Sequence, residues 1–192
     1  MSQSGNILKE TSEYVKKYLD ENLPEDLYFH NREHTESVVD ATQEIAEKEG
    51  VSDKELEILL LSAWFHDTGY AIKYRGHEEE SVRIAEEFLK SKNYPKDKID
   101  IVKECILSTD YNSEPRNRLE KILSDADLYH LSSDKFWELG EKLRNEFLAH
   151  NVKDVKSDKV WGKLNKFFIK HHHYHTDYGK TVLEEGRQKN AK

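Results

Sequence analysis

Two histidines and two aspartates carry most of the chemistry that this 192-residue chain can offer. His34 leads a helical stripe that continues through Val38, Ala41 and Ile45, so its imidazole points where the core points. Leu59, Ala63 and His66 form a second stripe, and Leu60, Trp64 and Asp67 form its neighbour. Leu119, Leu123 and Asp127 share a third face, which Leu131 continues. At ~100° per residue Asp125 turns about 200° away from Asp127. It lies one turn past Lys121, as a solvent-facing pair should, and is expected to face outward. Burying imidazoles and carboxylates is costly unless they are paired or bind a cation. Alone, each of the four reads as a hydrogen-bonded core histidine or a helix-end acid. Together they make a coherent ligand set for a divalent transition metal, with positions left for water and substrate.

The elements that must position them are helices. Hydrophobic periodicity predicts helices at 7–22, 32–49, 53–67, 77–92, 95–109, 116–131, 134–150, 157–173 and 176–189. Pro24 closes the first, Asn31 caps the second, Gly50 ends it, and Ser52 or Asp53 caps the third. Gly69 and Gly76 bracket a short loop, and Asn93–Pro95 and Asn112–Pro115 make turns. No convincing strand, internal repeat or linker interrupts this pattern. The reading is one all-α domain over residues 1–192, a bundle of about nine helices.

Composition narrows the partners. Hydrophobic residues make up 36% of the chain, sufficient for one sizeable core. The 38 acids outnumber 30 bases, for a net charge of −8, which opposes wrapping by nucleic acid or docking on an anionic membrane. One cysteine, Cys105, excludes an intrachain disulfide and a Cys-only zinc site; its apolar neighbours Ile101 and Val102 mark it as core filler. No apolar run approaches a membrane span, and MSQSGNILKETSEY lacks the build of a signal peptide, so a cytoplasmic location is expected.

The segments YFHNREHTESVVDA, LLLSAWFHDTGY and ILSDADLYHL, in that order, resemble the HD superfamily of metal-dependent phosphohydrolases. The resemblance covers roughly residues 28–131; helices over 134–189 would complete an HD-type bundle. It implies that His34, His66, Asp67 and Asp127 hold Mn, Fe, Co, Ni or Zn, with Mg also admissible. It further implies hydrolysis of a phosphomonoester or phosphodiester of a small metabolite, a nucleotide being favoured, by metal-activated water. In that reading Asp67 ligates and orients the water, and His77 and Glu78 are further catalytic candidates. Lys73, Arg75 and His30 are the substrate-binding candidates.

Departures from the family pattern qualify this. Tyr70 stands where several nucleotide-directed relatives carry an acid, so Glu78 or Glu79 must supply one if it is needed. His77 could be the first extra histidine of a dinuclear site, but Ser108 and Thr109 occupy the place of the second. A single tightly bound ion is therefore expected. The missing acid also leaves room for an alternative, a non-catalytic nucleotide-sensing or regulatory module. Asp110 and Tyr111 are candidates for the pocket wall. The run His171–His172–His173–Tyr174–His175 reads as a solvated helix end, with a pocket-lining role for one or two of its residues as the alternative, and a homodimer is a further option.

Overall fold

The helical periodicity is realised along the chain. The computed structural model describes residues 3–152 and 155–192, and among these it holds nine α-helices and no strand. They are α1 (Gln3–Asn22), α2 (Arg32–Glu49), α3 (Asp53–Phe65), α4 (His77–Ser91), α5 (Lys96–Leu107), α6 (Arg118–Asp127), α7 (Phe136–Ala149), α8 (Asp158–His171) and α9 (Glu184–Asn190). Local chemistry sets the starts. Asn31 accepts from the His34 amide, Ser52 and Glu55 form a reciprocal capping box, and Asn117 accepts from Leu119 and Glu120. Gly50, at φ 65°, closes α2 in the left-handed conformation that a side chain would resist.

The apolar helix α3 runs through the middle and is shared by two cores. On one side Phe65 and Leu61 meet Val15 and Leu19 of α1, Leu89 of α4 and Ile106 of α5. On the other, Leu59 and Ala63 meet Val38 and Ile45 of α2 and Ile122 and Leu123 of α6. A small third cluster, Leu131, Phe136 and Ile169, ties the C-terminal helices on. Cys105 lies fully within the second core, where burial pushes its thiol up to about 12. No described helix is long and apolar enough to cross a membrane.

Several helix boundaries differ from the sequence expectation: α1 begins earlier, at Gln3, and four of the expected helices give way to tighter or wider turns or to extended chain. The helix expected over 53–67 stops at Phe65, and Thr68–Ala71 is a tighter 3-10 turn. The helix expected over 116–131 ends at Asp127, followed by a 3-10 turn, Tyr129–Ser132. That over 157–173 ends at His171, and that over 176–189 contains a π-turn, Gly179–Leu183, before α9. The histidine run is correspondingly not a helix end throughout. From His172 the backbone is extended, and side chains alternate: His171 and His173 face solvent, whereas Tyr174 and Thr176 are buried.

This extended strap overturns the outward placement of Asp125. The carboxylate is fully buried and accepts from the His175 amide, the Thr176 amide and the Thr176 hydroxyl at 2.7–3.1 Å. Helix α6 is covered on its second face, so a helical wheel with a single core side misassigns it.

Candidate metal centre

The ends of α2, α3 and α6 bring the four expected side chains to one place. His34 stands one turn into α2, directed by the Asn31 cap. His66 follows the last residue of α3 and is fully buried; its Nδ1–H donates to the Ala63 carbonyl at 2.8 Å. That bond fixes the tautomer and leaves Nε2 with a free lone pair. Asp67 begins the 3-10 turn, and Asp127 ends α6.

Nitrogen and oxygen alternate around a common point. His34 Nε2 lies 3.4 Å from Asp67 Oδ2 and 3.1 Å from Asp127 Oδ1. His66 Nε2 lies 3.1 Å from Asp67 Oδ2 and 3.5 Å from Asp127 Oδ1. Ligand atoms of His34, His66 and Asp127 all fall within 4.8 Å of one another. Atoms bound ~2.1 Å from one ion would stand about 3.0 to 3.4 Å apart at octahedral or tetrahedral angles. The decisive observation is that His66 Nε2 and Asp67 Oδ2, both buried and 3.1 Å apart, make no hydrogen bond with each other or with any other group. Lone pairs aimed at a shared centre fit a cation there, and the residues present fit a divalent ion.

The same packing couples their charges. Burial opposes protonation of His34, but the carboxylates of Asp127 and Asp67 outweigh it and lift the imidazole to about 9. His66 is driven up in the same way against its burial, chiefly by Asp67. Burial raises Asp67 and Asp127, yet the facing imidazoles hold both below the usual carboxylate range.

The 3-10 turn then positions the neighbours. Gly69 sits where an added Cβ would lie 1.9 Å from the His77 carbonyl oxygen, and its amide donates to Ser81 Oγ at 2.8 Å. This close approach seats the start of α4 against Asp67, with His77 Nε2 3.3 Å from Asp67 Oδ1. Glu78 lies 3.7 Å from His77 Nδ1. Tyr70, at the position of the missing acid, is clamped between two imidazoles, stacked 4.5 Å from His30 and 3.7 Å from His77.

A cavity of about 580 Å³ opens over this centre. Asp67, Asp127, His77, Glu78 and His30 line it, as do Asp110 and Tyr111. Lys73 and Arg75 do not: Lys73 pairs with Glu79 and Glu80 at 3.3 and 3.4 Å, and Arg75 is exposed.

Sequence reasoning missed Glu146. Its buried carboxylate takes His30 Nδ1 at 2.5 Å, the amides of Phe29 and His30 at 2.9 and 3.0 Å, and the Tyr74 hydroxyl at 2.8 Å. Burial raises Glu146, but the His30 contacts hold it below its usual value. Its signal was thin, one acid on an amphipathic helix far from every motif. His130 also lines the cavity unannounced, and from the histidine run His172 lines it too; each is pushed down to about 4 by burial.

The family model described as HD domain matches residues 31–132. A crystal structure of a structural-genomics target from Lactobacillus plantarum superposes with a TM-score of 0.69 at 16% identity, covering 95% of this chain and 92% of that one. At that identity the likeness shows the fold. No curated protein matches the chain.

Proposed function

Because the chain belongs to the HD domain family, we propose that it is a metal-dependent phosphohydrolase acting on a small phosphorylated metabolite, a nucleotide being the favoured class. The observation that carries this reading is the pair of orphaned atoms, His66 Nε2 and Asp67 Oδ2, facing each other without a hydrogen bond where Asp67 lines a substrate-sized cavity.

His34, His66, Asp67 and Asp127 would hold one divalent ion. When bound, such an ion supplies Lewis acidity toward a phosphoryl oxygen and acidifies water for attack. The protein's own groups do the rest. Ala63 keeps the His66 proton on Nδ1, so Nε2 stays a donor of electrons. His77 Nε2, 3.3 Å from Asp67 Oδ1, would direct Oδ2 toward the imidazoles, with Glu78 behind His77. In this reading His77 and Glu78 act through Asp67 and position it. His30 commits its Nδ1 proton to Glu146 and stacks on Tyr70, which fixes its ring in the cavity wall as a substrate contact. Phe29 and Leu128 line the same region and keep bulk water from it.

The test is phosphate release from a panel of phosphate esters by protein loaded with Mn²⁺, Co²⁺ or Ni²⁺. Turnover is expected, and Asp67→Ala should lower it by at least about a thousandfold while helical content is unchanged. Ligand-induced thermal stabilisation with no product across the panel would instead favour a nucleotide-sensing module.

A further inference from the structure

The cavity has two unlike halves. Its floor carries Asp67 and Asp127 of the candidate metal centre, with His34 and His66 packed beside them. The opposite wall comes from the C-terminal third: Leu143 and Phe147 of α7, and Trp161, Leu164 and Phe168 of α8. The Trp161 indole N–H is already satisfied by Glu141 Oε1 at 3.0 Å, leaving its ring to serve as surface. Set into this apolar wall are two polar side chains, each with a buried atom that has no hydrogen-bond partner. Asn165 is only 9% exposed, lines the cavity, and has no hydrogen-bond partner for its amide nitrogen. His172 lines the same wall with a buried, unpartnered Nε2.

We propose that this wall is the subsite for the non-phosphate part of the substrate, and that it takes a flat, uncharged ring system bearing a hydrogen-bond acceptor and a single phosphoryl group. The proposal rests on the phosphohydrolase reading for the placement of that phosphoryl group at the floor.

Three alternatives fit the wall less well. An acyl chain would cover the aromatic rings but leave the buried polar atoms of Asn165 and His172 unpaired. A small sugar phosphate would satisfy the polar atoms and leave five apolar side chains in water. A di- or triphosphate would bring added negative charge into a cavity whose described lining holds no Lys or Arg and includes the acids Glu78 and Asp110. A ring with an acceptor satisfies the wall on every count: its faces stack on aromatic surface and its edge meets the Asn165 N–H. His172, kept neutral by its burial, sits beside an uncharged ring at no electrostatic cost.

Calorimetric titration of the metal-loaded full chain tests this. The probes are the four ribonucleoside monophosphates, their triphosphates, glycerol 3-phosphate and inorganic phosphate. At least one monophosphate should bind about tenfold or more tighter than both its own triphosphate and glycerol 3-phosphate. Asn165→Leu should cut that preference about tenfold, and His172→Phe provides a second variant should the first fold poorly. Glycerol 3-phosphate binding as tightly as every monophosphate, triphosphates binding tighter, or variants retaining the full preference would each overturn the proposal. Asn165-dependent binding without phosphate release would remove the hydrolase reading and keep the subsite. Release of phosphate with no ring preference would do the reverse.

Discussion

A carboxylate that gathers four donors in a buried place holds its surroundings in one arrangement, and Glu146 does this for His30, Phe29 and Tyr74. Replacing it by Gln keeps the shape but removes the charge and turns one acceptor into a donor. Glu146→Gln should cost about 2 kcal/mol of stability by urea denaturation. The pH dependence has a defined sign. Because the folded carboxyl titrates below its ordinary 4.5, its contribution is present above that pH and is lost as pH falls through the lowered folded value. The variant should therefore show a flatter acid limb than the wild type. At this scale the legible residues were those on strong helical stripes: His34, His66, Asp67 and Asp127. Glu146 was hidden because its partners are backbone amides and side chains far away in sequence. Asp125 was misread because its partners lie in a strap that no periodicity announces.

Elements decide whether good residues meet. The 3-10 turn Thr68–Ala71 is the joint between α3 and α4, and Gly69 allows it to touch the first residue of α4. Gly69→Ala should push His77 off Asp67, cost about 2 to 3 kcal/mol through overpacking, and weaken metal affinity measured by titration. Its neighbour Gly76 would not reproduce this packing effect, since the nearest atom to a Cβ there is the flexible Lys73 Nζ at 3.5 Å. The strap His172–Thr176 is the second decisive element. Asp125→Ala would strand the amides of His175 and Thr176 and the Thr176 hydroxyl. A loss of about 3 kcal/mol by chemical denaturation is expected, with α3 and the metal centre intact. The long helices could be read from apolar spacing and caps. The 3-10 turns, the π-turn and the strap could not, because four or five residues carry too little periodic signal to outweigh the helices they interrupt.

The whole molecule divides its work along the chain. The segment matched by the HD domain model, residues 31–132, supplies every proposed metal ligand, whereas α7, α8 and the strap build the far wall of the cavity and hold His30 through Glu146. The structural likeness to the Lactobacillus plantarum protein extends over 95% of this chain, so the C-terminal helices belong to the shared fold. That division explains why the centre could be read in the sequence and the wall could not: ligands recur in short motifs, while a wall is defined by shape. All of it depends on four side chains enclosing one ion. The most direct measurement is a crystal structure of manganese-loaded protein with anomalous diffraction at the metal edge. A single strong peak about 2.0 to 2.2 Å from His34 Nε2, His66 Nε2, Asp67 Oδ2 and Asp127 Oδ1 is the predicted result. Density without an anomalous signal at that point, or a peak bound elsewhere in the molecule, would contradict it.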